Sequence, residues 1–364
     1  MRITPGSLAA FILLSVHPGE SDAQDQPSVK VLGWADYMSP KTNPGFTAKA
    51  GIVVEQQTFS GVEQTDALLK MGNSGQDVVV ATDEFLQIGI PTGKFRRLDT
   101  AKVSNLATVD PILMHATEAY DPGHLYSVPY AWGTIGIGYN AAMIQKRLGA
   151  EAPSSWAMLF NPENAAKLAD CGIAMIGAPA EVFQSVLIYL GRDPNSDRPE
   201  DYAAAEKVLQ AIRPSVRAFN SWEYIRDLAN GKICVVLAWN SDVLGARSQG
   251  AEFNTTDIRF FTPREGAVIW TDNLAIPSDA PNPDIAMAYI DYLLEAGVAA
   301  DNAAATGRAS PLSQPLRSQL IPAETLNDEA IYPDPKTKLY GAKSASPALE
   351  QLRKDTWARV TAAP

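Results

Sequence analysis

The order of apolar runs between Val29 and Ile88 constrains the fold more than any other feature. Val29–Trp34 (VKVLGW) reads as a strand, Pro40–Ala50 as a helix and Ile52–Phe59 as a second strand. Asp66–Met71 reads as a helix closed by Gly72-Asn73-Ser74-Gly75, and Glu84–Ile88 opens the next one. Between them, Asp77–Ala81 (DVVVA) is almost continuously apolar, as a strand covered on both faces must be. Strands separated by helices cannot form hairpins, so this order predicts a parallel sheet with helices on both sides.

A second alternating unit follows. Helices are expected at Trp156–Leu159, Pro162–Leu168, Pro179–Leu190, Tyr202–Ile212 and Trp222–Asn230, and strands at Gly172–Ile176, Val216–Phe219 and Ile233–Ala238. Between the units, Tyr130–Asn140 (YAWGTIGIGYN) is extended, apolar and glycine-spaced, which suits a strand crossing from one domain to another. Asp257–Thr262 reads as the return crossing, Ala267–Ile276 as a hairpin-like region and Asp284–Glu295 as an amphipathic helix. The alanine-rich residues 297–310 carry no clear register. A chain of 364 residues exceeds one usual core. The expected fold is therefore α/β, with two lobes that each hold a mainly parallel sheet, joined by crossing strands. The first lobe takes residues 28–134 and 260–308, the second 135–259 and 309–364.

Residues 1–23 read as an export signal: Arg2, the short apolar stretch Leu8–Val16, and a small, polar region with a cleavage site near Ser21-Asp22-Ala23. Leu8–Val16 is too short to span a bilayer, and no later segment is long and apolar enough. Cleavage leaves 29 basic and 39 acidic residues, a net charge of −10. Such a surface excludes the basic footprint of a nucleic-acid binder and suits a cationic ligand. Cys171 and Cys234 are the two cysteines, enough for one disulfide in an oxidising compartment but not for a zinc site of the usual kind. His115 and His124 lack acidic or cysteine partners at ligand spacing. No G-x-S-x-G, H-E-x-x-H or P-loop is present, so neither an enzyme nor a cofactor is expected.

Three tryptophans stand just before an aspartate: Trp34-Ala35-Asp36, Trp239-Asn240-Ser241-Asp242 and Trp270-Thr271-Asp272. Tyr37 extends the first set. A π-face attracts an ammonium group and covers its alkyl stem, while a carboxylate neutralises the charge and accepts its N–H donors. Trp34 and Trp239 close predicted strands, and open α/β sheets bind ligands outside the carboxyl ends of their strands. The three pairs therefore predict one cage for an amine.

The strings GWADYMSP (33–40), GQDVVV (75–80), YAWGTIGIGYN (130–140), CGIAMIGAPAEVF (171–183), YIRDLANGKICVVLAWNSDV (224–243) and TPREGAVIWTDNLAIP (262–277) then carry a resemblance. From about Val29 to its end the chain resembles the putrescine-binding periplasmic proteins of polyamine ABC importers. The resemblance implies a two-lobed fold that closes on its ligand, a disulfide between Cys171 and Cys234, and a monomer that delivers to an inner-membrane permease with its ATPase. It implies a diamine site at Trp34, Asp36, Tyr37, Thr82, Glu181, Trp239, Asp242, Trp270 and Asp272. Asp36 and Asp272 would hold one ammonium and Glu181 and Asp242 the other.

Three positions depart from the pattern: Ala35 and Thr82 where the family has serine, and Glu84, a carboxylate, where it has a small serine. Arg308 falls roughly where the family has tyrosine, and three readings of it stay open. It points away, it pairs with Glu84, or the ligand is an acylated or amino-acid-like amine rather than a plain diamine. Two other functions remain: a chemosensory binding protein, or an exported carboxylate-dependent hydrolase.

Overall fold

The computed structural model describes residues 26–35, 37–59, 74–149, 154–253 and 257–362. The helix expected at 66–71 and the signal segment at 1–23 lie outside these residues, as does Asp36. Among the described residues are ten strands: β1 (Ser28–Trp34), β2 (Val53–Phe59), β3 (Val78–Thr82), β4 (Ser127–Asn140), β5 (Ile173–Met175), β6 (Val216–Phe219), β7 (Val235–Trp239), β8 (Ile258–Phe261), β9 (Ala267–Ala275) and β10 (Leu339–Tyr340).

Their order is β2-β1-β3-β9-β4-β7-β5-β6, with β8 on β4 and β10 on β9. β1 runs parallel to β2 and β3, and β5 runs parallel to β6 and β7, as the strand–helix alternation requires. β9 and β7 are antiparallel to β4. β4 belongs to both halves. Its first part, Ser127–Thr134, pairs with β9, Ile135–Tyr139 pairs with β7, and Ile137–Asn140 pairs with β8. Its glycines permit this crowding. A Cβ at Gly136 would lie 2.5 Å from the Phe260 ring and the Phe261 carbonyl, and one at Gly133 would lie 2.0 Å from Asn240 Oδ1 and 2.5 Å from the Trp270 ring.

Each half has its own core. Val29, Val31, Phe46, Val78, Leu113 and Ile290 fill the first, and Ile137, Trp156, Phe183, Tyr202, Leu237 and Val243 the second. After Gly307 the chain serves both: Ala309, Leu312 and Ile321 pack in the first core, and Ala330, Leu349 and Val360 in the second. No helix among the described residues is long and apolar enough to cross a membrane.

One reading needs correction, and one stretch left without a register is now placed. Ala267–Ile276 is not a hairpin but the single strand β9, because β3 and β4 flank it on both sides and its polar Thr271-Asp272-Asn273 lies within the ladder. Residues 296–306, where no register was legible, form one helix that Gly307 ends at φ 67°, its N–H bonding the Ala303 carbonyl. Left-handed backbone suits glycine there. The disulfide joins Cys171 and Cys234, with Cα atoms 5.5 Å apart, and ties the entries of β5 and β7.

Candidate functional site

Tyr37 lies three residues past the end of β1 and is buried. Its carbonyl accepts from the Tyr130 hydroxyl of β4 at 2.9 Å, and its own hydroxyl donates to Asp272. Asp272 sits on β9 opposite Thr82 of β3 and Ala131 of β4, and is 4% exposed. Burial pushes its carboxyl up to about 6, against the opposing pull of the Tyr37 hydroxyl and Arg308. Burial also raises the Tyr37 phenol well above its ordinary range, and the Asp272 charge adds to this.

Arg308 is placed by its neighbours. Gly307 stops the preceding helix, Ala309 bridges to Trp132 of β4, and the Trp132 indole N–H donates to the Ser310 carbonyl at 2.8 Å. The guanidinium carbon then lies 3.9 Å from the centre of the Tyr37 ring, well within cation–π range. Its charge also acts on Asp242 and Tyr130. Arg308 therefore does not point away from the site: it lies over Tyr37.

A second group of carboxylates gathers where β3 ends. Thr82 caps the helix Asp83–Gly89, its hydroxyl accepting from Phe85 N at 3.3 Å. Asp83 accepts from Glu84 N at 2.8 Å. Glu181, from the other half, stands in the first turn of the helix Pro179–Tyr189. Desolvation followed by the Glu181 charge raises Asp83 to about 8, and desolvation with the Glu84 charge raises Glu181 to about 7. Carboxylates of both halves thus act on one another across the junction. Groups so disfavoured as anions gain most from an added cation.

The aromatic walls are fixed in turn. Trp239 ends β7 opposite Ile135, and Trp270 lies on β9 opposite Gly133; both are half-buried. Asn240, the residue after Trp239, binds three partners. Its Oδ1 accepts from Thr134 N and Trp270 Nε1, each at 3.1 Å, and its Nδ2 donates to the Ala330 carbonyl at 2.7 Å. Asp242, two residues on, accepts from the Tyr224 hydroxyl, and burial raises its carboxyl. The Trp34 and Tyr37 rings lie 6.3 Å apart at 41°.

Links are seen around the junction between Trp34 and Tyr37, between Tyr37 and both Asp272 and Arg308, between Thr82 and Asp272 across the ladder, between Glu84 and Glu181 by charge, and between Trp270 and Asn240, the residue after Trp239. Through Arg308, Asp242 is coupled to the Tyr37–Asp272 end, whereas Glu181 is coupled to Asp83 and Glu84. Three residues of this region were not singled out from the sequence. Asp83 looks like an ordinary acid at a helix start, Asn240 like a turn residue, and Tyr224 like core. Only the position of Asp83 and Asn240 just past the ends of β3 and β7 gave a signal. Among the described residues, no three His, Cys, Asp or Glu side chains are grouped to hold a metal ion.

A sheet in two halves sharing β4, with aromatic and acidic side chains from both at the junction, defines a two-lobed binding protein. The chain belongs to the bacterial extracellular solute-binding protein family, which it matches over residues 45–325. It is 36% identical to the putrescine-binding periplasmic protein PotF of Escherichia coli over 358 residues, 97% of this chain and 96% of that protein. It is also 36% identical to the putrescine-binding periplasmic protein SpuD of Pseudomonas aeruginosa over 368 residues, 97% of each. In structure it resembles the spermidine/putrescine ABC transporter substrate-binding protein PotD of Streptococcus pneumoniae, with a TM-score of 0.82 at 25% identity over 92% of this chain and 98% of that one.

Proposed function

We propose that this chain is exported to the periplasm, loses its signal segment, and captures an amine-bearing small molecule of the putrescine class for an ABC importer. It would act as a monomer and present the loaded form to an inner-membrane permease with its ATPase. One observation carries the reading. In a chain so similar to putrescine-binding proteins, carboxylates of both sheet halves act on one another, and Trp239 and Trp270 stand opposite Ile135 and Gly133 of the shared strand β4. A cation there neutralises charge that desolvation disfavours, and a π-wall covers its methylenes. Because the carboxylates come from both halves, the ligand holds the closed arrangement by its higher affinity for it. Binding asks nothing of a nucleophile or proton donor, so the protein is read as a carrier rather than an enzyme.

The test is a thermal-shift screen of the ligand-freed protein against putrescine, cadaverine, spermidine, agmatine, acylated diamines, 4-aminobutyrate and amino acids. At least one amine is expected to raise the unfolding temperature by several degrees, with Asp272→Asn weakening that amine about tenfold or more through loss of a charged partner. No shift with any amine, or equal affinity in the variant, would refute the assignment.

A further inference from the structure

Tyr37 borders a small cavity as well as the candidate amine site. Its walls include Tyr37 itself, Tyr130 of β4, and Asn302, Ala303 and Thr306 of the helix Ala296–Thr306. The space open to the centre of a water molecule is about 10 Å³, room for one. Asn302 supplies a donor there. It is 4% exposed, and its Oδ1 accepts from the Ser39 N–H at 2.9 Å and from the Thr42 hydroxyl. A backbone N–H can only donate, so the amide cannot be turned round. Its Nδ2 is buried and meets no hydrogen-bond partner among the described residues. Buried donors are ordinarily bonded to protein or to ordered water, because leaving one unpaired is costly.

Acceptor capacity lies on the same walls. The Tyr130 hydroxyl donates to the Tyr37 carbonyl at 2.9 Å, which uses its proton and leaves oxygen lone pairs for an incoming N–H or O–H. The Thr306 hydroxyl donates to the Asn302 carbonyl at 2.8 Å and also keeps acceptor capacity. A spare donor beside spare acceptors fits a molecule that both accepts and donates. An ammonium ion accepts nothing and cannot serve Asn302. An anion donates nothing and would face the Tyr130 and Thr306 lone pairs, although Arg308 also borders the space.

We propose that this cavity is the site of one internal water, which accepts from Asn302 Nδ2, donates to the Tyr130 oxygen, and completes the hold on the segment that carries Tyr37. Asn302 already grips Ser39 and Thr42, and Tyr130 grips the Tyr37 carbonyl; the water joins the two grips. Asn302 is thereby a positioning residue. Tyr37, whose hydroxyl donates to Asp272, is set before a ligand arrives, so binding need not order it. That role, though not the water itself, rests on the capture of an amine at the junction.

A high-resolution crystal structure of the ligand-freed protein, with a second crystal soaked in bromide, tests the site. One water is expected at about 2.7–3.2 Å from Asn302 Nδ2, with no anomalous signal in the soaked crystal. No density there, or the signal of bromide, would overturn the proposal, as would a bound amine reaching into the space in place of the water. Ala303→Val tests the role, because it adds methyl groups at the cavity wall and leaves the Asn302 Oδ1 acceptor in place. It is expected to displace the water and to weaken the best amine of the thermal-shift screen by about three- to tenfold in calorimetry, the cost of ordering a side chain on binding. Asn302→Leu, which deletes the donor, serves should that variant fail to fold, with the same outcome expected. Unchanged affinity in a folded variant that has lost the water would overturn the positioning role while leaving the importer reading intact. Failure of every amine in the screen would remove the importer reading, and the crystal structure would still decide the water.

Discussion

Asn240 gives the sharpest structural prediction, because one side chain holds the junction at three points. It is 2% exposed and bonds Thr134 of β4, Trp270 of β9 and the Ala330 carbonyl of the C-terminal segment. Asn240→Ala orphans two N–H donors and one carbonyl at a largely buried place. A buried polar group left unsatisfied costs about 1–3 kcal/mol. Water entering the space vacated recovers part of this, so the expected loss is about 3–5 kcal/mol. Urea unfolding at constant slope measures it. Trp270 also loses the acceptor that sets its ring, so amine affinity should fall in parallel, read by calorimetry. A loss below about 1 kcal/mol, with amine affinity unchanged, would refute the claim that Asn240 locks β4, β9 and the aromatic wall together.

Two other outcomes follow from the structure. Asp83, Glu181 and Asp272 are raised to about 8, 7 and 6 from ordinary values near 4, so between those limits the folded state binds more protons than the unfolded one. Stability of the ligand-free protein should therefore fall as pH rises through this window, while the thermal shift from a bound amine should grow from pH 5.5 to pH 8; a shift equal or larger at pH 5.5 would contradict it. The disulfide closes a sequence separation of 63, worth about 4 kcal/mol in the chain-entropy treatment. Cys171→Ser with Cys234→Ser should lower the urea midpoint correspondingly, and an unchanged midpoint would show that packing of β5 against β7 alone holds this part of the sheet.

Much of the architecture was legible because hydrophobic period and helix breaks are local. Val29–Trp34, Pro162–Leu168 and Val216–Phe219 declare themselves by alternation or by a proline start. Ala267–Ile276 misled because its Thr-Asp-Asn reads as a turn, whereas in the fold those polar groups sit inside a strand paired on both sides, with Asp272 facing Tyr37. The tryptophan–aspartate pairs were visible as chemistry; Trp34 and Trp239 end strands, whereas Trp270 and Asp272 lie within β9. Asp83 was not, for its raised protonation comes first from burial and then from Glu181, about a hundred positions away, and tertiary packing sets both. Arg308 was visible as a departure, but its direction was not: that depends on the helix stop at Gly307 and the bridge of Ala309 to Trp132.

The most direct measurement is a crystal structure of the ligand-freed protein soaked with the amine that gives the largest thermal shift. The account predicts one molecule at the junction, its ammonium beside Asp83 and Glu181 and its chain along Trp239 and Trp270. An amine bound on an outer face, with these side chains touching only protein, would contradict it.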